Sequence, residues 1–387
     1  MPEKRSAWDT LAGYLDSISR FPLELNAVIA SSGLPQPRAG PRIRLSSMKY
    51  SLPGILDDAN LLYHPYELAR MVREGAKSFS LVHHFIFSPF GMNSFNSAAL
   101  LGLLHDRAFI IGPAQLPHRF YEDDMKLYSR NGFMTGPSAF RGLEIMNQLF
   151  RTSLRLGFLR TLDACDCLVV VNREAKNLYS HFISAKKIQV IPTGVFVQKF
   201  VREGERQRNK TVLMIGNLIF RKGIHVAIQA MKSVLAAVPD AELNIVGEGP
   251  ACLQLQQLSK QLGVDHKVHF IGRVSNESLT DLCSTASVFC HASFSEAFSY
   301  TIVEAMGAGL PVVCTDIPGS SGMVDDGLNG FNVAPGDDVA LADAIVRVLS
   351  DPALVQEMGR NGQNRATEYG WDVVAKKYYS LYSKLAT

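Results

Sequence analysis

Ser293–Gly319 reads SFSEAFSYTIVEAMGAGLPVVCTDIPG. A β-rich run, Val288–His291, precedes it and another, Pro311–Thr315, lies at its end, so the segment is a loop and helix between two strands. Both runs are apolar on both sides, as strands buried in a parallel sheet are. Phe298, Ser299 and Tyr300 fall where the helix begins, and the amides and dipole of a first turn suit a phosphate. Glu304 follows near the second turn, where an ionised carboxylate can accept two hydrogen bonds from vicinal hydroxyls, as on a ribose. Glu296, in the loop, can reach a different part of the same ligand. Two glutamates at this spacing commonly face solvent. The flanking strands and the small-residue stretch Gly307–Gly309 are what point to a site.

The same alternation extends outward. Strand-like runs at Val212–Ile215, Leu243–Val246 and Val268–Ile271 are interleaved with helical patterns at Ile224–Val238, Ala251–Leu262, Asn276–Ser284 and Ile302–Ala308. Strand and helix in alternation mean a parallel α/β sheet. The first half offers Asn26–Ala30, Arg42–Leu45, Ser80–Phe87, Ala108–Ile111, Cys167–Val171 and Ile188–Ile191 as strands. A polar stretch, Arg202–Lys210, has no hydrophobic period and reads as a linker. The expected layout is a domain over 1–200, a linker over 201–210, a second domain over 211–370, and a C-terminal helix over 371–387 that crosses back to the first domain. At 387 residues the chain exceeds what one core ordinarily supports, which also favours two domains.

Composition narrows the function. A hydrophobic fraction of 47% with 19% charged residues is that of a folded protein. A net charge of +3 lacks the basic excess of a nucleic-acid binder. Six cysteines without a C-x-x-C pair read as reduced, buried thiols. The N-terminus has no apolar signal core, and no run reaches membrane-spanning length. These features imply a cytoplasmic protein. Ser138–Leu162, amphipathic with four arginines against one glutamate, is either a packed helix with a solvated face or a peripheral contact on the inner membrane face.

Glu296, seven residues, Glu304, then AMGAGLPVV resembles the signature of the large retaining glycosyltransferase family 4, glycosyl transferases group 1. Specific motifs carry the resemblance over nearly all of 211–387, and it is weaker over the first 200 residues. It implies an α/β GT-B fold, two Rossmann-like domains facing an interdomain cleft. It further implies a UDP-, GDP- or ADP-sugar as donor, a glycan or lipid-linked acceptor, and neither metal nor cofactor. MIGNLIFRKG resembles the family's strand, glycine loop and lysine, with Gly216 and Lys222 in place, Asn217 where an arginine is usual, and Arg221 beside the lysine. IVGEGP supplies Gly247, and FIGRV supplies Arg273 and Val274 beside the donor base. IPTGV resembles the end of the family's first domain, and Asp316–Val333 resembles its loop and strand after the signature, with Gly322 where a glutamate is frequent.

The resemblance therefore implies that Lys222 and the amides of Phe298, Ser299 and Tyr300 hold the diphosphate. Glu304 holds the ribose, Glu296 the transferred sugar, and Ser293 lines the same site. For the acceptor, His83, His84, Gln115 and His118 are candidates, each more readily read as an ordinary buried or loop polar residue. The family opens with a strand and a glycine loop, whereas this chain reads as starting inside the first helix, Ala7–Ile18. Asn26–Ala30 is then the second strand; the alternative makes it the first, with SSGLPQPRAG as its loop. The rival function is a catalytically inactive sugar-nucleotide-binding protein of the same fold.

Overall fold

The computed structural model describes residues 13, 14, 16–18, 20, 21, 25–30, 43–48, 81–84, 108–114, 159–201 and 209–385. They divide into two compact units, one holding Val195–Gly370 and the other the described residues up to Gly194 with the C-terminal helix Trp371–Leu385. The passage between units thus falls at Gly194, upstream of the linker expected over 201–210. Packing explains the shift: Val195, Val197 and Phe200 are buried in one cluster with Phe289, Ile302 and Met306. Residues 202–208 of that linker lie outside the described residues.

In the N-terminal unit, β1 (Leu25–Ala30) pairs in parallel with β2 (Ile43–Met48). A second parallel sheet runs β3 (Leu81–His84), β4 (Ala108–Ala114), β5 (Cys167–Val170) and β6 (Ile188–Val190) in spatial order. Among the described residues β1 has β2 as its partner and sits at an edge. Residues 13, 14 and 16–18 are helical, inside the helix expected there. Helix α1 (Arg173–Tyr179) starts where the Asn172 side chain accepts from the Ala175 N–H at 2.8 Å. Of the basic segment 138–162, only 159–162 are described, and they are helical.

The C-terminal unit holds β7 (Thr211–Ile215), β8 (Glu242–Val246), β9 (Val268–Gly272), β10 (Val288–His291), β11 (Val312–Thr315) and β12 (Gly330–Val333). Its helices are α2 (Ile224–Ala237), α3 (Cys252–Gln261), α4 (Asn276–Thr285), α5 (Tyr300–Gly307), α6 (Asp338–Leu349) and α7 (Pro352–Ala366). The strands form one parallel sheet in the order β12-β11-β10-β7-β8-β9. Strand geometry sends alternate residues to opposite faces. Val212, Met214, Val288, Cys290 and Val313 accordingly join one core with α2, α3 and α6. Leu213, Phe289, Val312 and Cys314 join the other with α4 and α5. Helices α6 and α7 carry their own start signals. Asp337 accepts from Ala340 N–H, and Asp351 accepts from Ala353 and Leu354 N–H with Pro352 in the first turn.

From β7 the chain builds outward through β8 and β9, then returns to the other side of β7 with β10, β11 and β12. The strand order reverses between β7 and β10. In an open α/β sheet that reversal leaves a crevice beyond the carboxyl ends of the two strands, where ligands bind. All six cysteines are free, five of them buried. Among the described residues no helix is long and apolar enough to cross a membrane.

Candidate functional site

The loops that leave β7 and β10 are fastened to each other at that reversal. A 3-10 turn, Phe220–Lys222, follows β7 and ends at Gly223, whose φ is 64°. A Cβ at Gly223 would lie 1.8 Å from the Ala292 carbonyl oxygen. Glycine is what lets the two loops touch. The Phe294 N–H donates to the Arg221 carbonyl at 2.8 Å, and the Arg221 Nη1 donates to the Ser295 carbonyl at 2.6 Å. The Phe220 and Phe294 rings stack 5.5 Å apart, with His225 stacked on both. Burial pushes the His225 pKa down to about 4, so that ring packs neutral.

Held this way, two cations meet one carboxylate. Lys222 Nζ is paired with Glu296 Oε1, and Arg221 Nη1 lies 3.4 Å from Glu296 Oε2. The three side chains are 23% (Arg221), 19% (Lys222) and 11% (Glu296) exposed, so solvent screens them only in part. Burial alone would raise the Glu296 pKa, yet Lys222 and Arg221 outweigh it and hold the carboxyl below its ordinary range. Glu296 is therefore ionised at neutral pH, facing two basic side chains. The Lys222 stem runs beside Gly216, where an added Cβ would come within 3.5 Å of it. The Ser293 hydroxyl lies 3.3 Å from Glu296 Oε1 and can donate to it.

The remaining expected donor residues are placed as follows. Gly247 sits at the end of β8; its N–H donates to Gly272, and a Cβ there would meet the Gly216 carbonyl at 1.9 Å. Its smallness therefore serves the approach of neighbouring loops. Asn217 is exposed. Arg273 lies 3.5 Å from Glu248 in an exposed pair, and Val274 packs against the second core. Glu304 is buried in the second turn of α5. One expectation is corrected. The Ser299 amide, assigned to a phosphate, donates to the Gly319 carbonyl at 3.0 Å. The Asp316–Val333 loop folds over the start of α5, and a Cβ at Gly319 would lie 2.4 Å from the Glu296 carbonyl, so that amide is already spent. At Gly322, where the family often has a glutamate, the carbonyl accepts from Arg365 and from the Tyr369 hydroxyl.

The acceptor candidates fare differently. His83 Nε2 lies 3.0 Å from the Gly112 carbonyl, and Nδ1 lies 2.5 Å from the Tyr382 hydroxyl, which also meets Tyr14. A carbonyl can only accept, so the proton is on Nε2 and Nδ1 accepts from Tyr382. Both ring nitrogens are spent tying β3 to β4 and to the C-terminal helix. His83 is thus a strut, the ordinary structural reading of the residue. His83→Phe is expected to cost about 1–3 kcal/mol of stability, because it takes the His83 donor from the Gly112 carbonyl and leaves the Tyr382 hydroxyl with Tyr14 alone. Urea unfolding of the variant measures this. Of His84 only the backbone, in β3, is described, while Gln115 and His118 lie outside the described residues.

Sequence reasoning passed over His291, Thr315 and Gly319. His291 is 4% exposed with its Nε2 beside Ser293 and Ser299, and Thr315 donates to the Ser293 carbonyl. The available signal was a histidine closing an otherwise apolar buried strand, VFCH.

Residues 197–365 match the family model described as glycosyl transferases group 1. An uncharacterised glycosyltransferase of Methanocaldococcus jannaschii is 31% identical over 240 residues, 58% of this chain and 61% of that protein. A phosphatidyl-myo-inositol mannosyltransferase of Mycobacterium leprae is 34% identical over 205 residues, 51% of this chain and 54% of that protein. The chain thus spans a little over half the length of these relatives. The structure of Anabaena HepE in complex with UDP superimposes with a TM-score of 0.69 at 16% identity, covering 100% of this chain and 98% of the other. That likeness shows the fold, the GT-B pair of Rossmann-like units. The similarity to the glycosyl transferases group 1 family thus rests on residues 197–365.

Proposed function

We propose that the protein is a glycosyltransferase that moves a hexosyl group from a nucleoside-diphosphate sugar to a hydroxyl acceptor with retention of configuration. The observation that carries this reading is the convergence of Lys222, Arg221 and Glu296 where the strand order reverses. A diphosphate gains charge as it leaves the sugar, and a fixed cation aimed at it favours the transition state over the ground state. Lys222 takes that role, with Arg221 beside it. Glu296, ionised and anchored, accepts hydroxyls of the transferred sugar. Glu304 accepts the ribose hydroxyls.

In the step itself, the bond from the anomeric carbon to the phosphate oxygen breaks and a bond to the acceptor oxygen forms on the same face. The acceptor proton passes to the departing phosphate. The reading needs neither a metal nor a separate cofactor. The UDP named for the Anabaena structure supports a nucleoside diphosphate as donor core. Free cysteines suit a reducing compartment, which supports a cytoplasmic location.

The test is a panel of UDP-, GDP- and ADP-sugars scored by thermal shift, with Glu304→Ala alongside. Donors of one base are expected to raise the Tm of the wild type. The variant is expected to bind them about tenfold or more weakly, the loss of a charged hydrogen-bond acceptor. A wild type that no nucleotide stabilises overturns the reading. A variant that responds like the wild type removes Glu304 from it.

A further inference from the structure

We propose that His291 is a positioning residue, fixing the Glu296 carboxylate through the Ser293 hydroxyl. The inference deepens the donor-site reading above and rests on it for its catalytic consequence, though not for its structural one.

His291 closes β10 with its ring 4% exposed. Its Nε2 lies 3.4 Å from Ser293 Oγ, 3.3 Å from Ser299 Oγ and 4.0 Å from Glu296 Oε1. Its Nδ1 is buried without a hydrogen-bond partner. That asymmetry fixes the proton. An N–H buried with no acceptor costs more than a lone pair buried with no donor, so the hydrogen belongs on Nε2. Burial also pushes the ring's pKa down to about 4, and the cations Lys222 and Arg221 nearby lower it further, while Glu296 pulls the other way. The ring is neutral at physiological pH.

A neutral ring with its hydrogen on Nε2 donates to the serine oxygens. Ser293 Oγ, once it accepts that hydrogen, has its own proton left for Glu296 Oε1 at 3.3 Å. The direction runs His291 to Ser293 to Glu296. The Thr315 hydroxyl donates to the Ser293 carbonyl and keeps that residue's backbone in place. Glu296 is then held from three sides. Lys222 and Ser293 address Oε1, and Arg221 addresses Oε2. Without His291, the Ser293 hydroxyl is free to turn toward other acceptors, and the carboxylate relaxes onto its cations.

The decisive measurement reads Glu296 itself in nucleotide-free protein. Side-chain carboxyl carbon NMR on selectively labelled protein, with the resonance assigned by Glu296→Gln, follows its titration in the wild type, His291→Leu, His291→Gln, Ser293→Ala and the His291→Leu/Ser293→Ala double variant. Leucine removes the donor; the glutamine amide nitrogen can occupy the Nε2 position and keep it. The midpoint is expected to move to higher pH in His291→Leu and Ser293→Ala, to return toward wild type in His291→Gln, and to show no further change in the double variant. An unchanged midpoint in a folded His291→Leu overturns the proposal, as do additive shifts in the double variant. Glutamine that rescues no better than leucine does so too.

Slow hydrolysis of whichever nucleotide-sugar stabilises the wild type then reads the consequence. His291→Leu should lower kcat about tenfold with donor KM within about twofold, since orientation acts in the transition state. If no nucleotide-sugar binds, the donor reading fails while the titration result still stands or falls alone.

Discussion

Replacing Lys222 with methionine is expected to slow glycosyl transfer by about 10²–10³-fold, the usual effect of removing one preorganised charge from the developing anion. Methionine keeps the length of the stem that runs beside Gly216, so the loop's packing survives. What disappears is the positive charge that pairs with Glu296. Two consequences follow from the geometry. Glu296 keeps Arg221 at 3.4 Å but loses its closest cation, while the burial that opposes its ionisation is unchanged. Its pKa therefore rises in the variant.

The sign for stability follows from the wild-type direction. A carboxyl held below its ordinary value stabilises the fold above the unfolded pKa, and that contribution is lost as pH falls through the folded pKa. The variant lacks most of this increment, so its stability should fall less than that of the wild type on acidification. Steady-state rates with the stabilising donor, and urea unfolding at neutral and acid pH, measure both. A variant that transfers at the wild-type rate would remove Lys222 from the chemistry.

The strands and helices of 211–315 were legible because buried parallel strands announce themselves as short two-sided apolar runs, and β7, β8, β10 and β11 came within about one residue of their ends. The meeting of Lys222 with Glu296 was readable only through resemblance. The two residues are 74 apart in sequence, and nothing local brings them together. What does so is the reversal of strand order, a property of the whole sheet. Arg221 shows the limit well: its neighbour in sequence defines no direction, and the Ser295 carbonyl and Glu296 carboxylate fix where its guanidinium goes. Ser299 shows the opposite error. A free first-turn amide is the right expectation for an isolated helix, but a loop 20 residues on supplies Gly319 as its acceptor. His83 looked like any polar residue in a strand because its partners, Gly112 and Tyr382, come from a different strand and from the far end of the chain.

The largest loss of stability is expected at Gly223, and its cause is specific enough to be isolated. Gly223→Ala forces a side chain into left-handed backbone, at φ 64°. That alone costs about 1–2 kcal/mol. It also sets a methyl group 1.8 Å from the Ala292 carbonyl oxygen and 2.6 Å from its carbon, both backbone atoms that cannot rotate away. Relief requires the loops after β7 and β10 to separate. Separation breaks the Phe294 to Arg221 hydrogen bond, the Arg221 to Ser295 hydrogen bond and the Phe220–Phe294 stack together. The total should reach about 3 kcal/mol or more, in the range that steric damage to a packed region produces.

Gly263 is the matched control: its φ is 71°, and an added Cβ there meets nothing within 4 Å. Gly263→Ala should therefore cost only the backbone strain. The difference between the two variants in urea unfolding measures what the loop contact contributes. It should be accompanied by loss of nucleotide-induced stabilisation in Gly223→Ala alone, because the same contact brings Lys222 to Glu296. Equal losses in the two variants would mean that the loops are held together elsewhere, and that the site does not depend on the approach of Gly223 to Ala292.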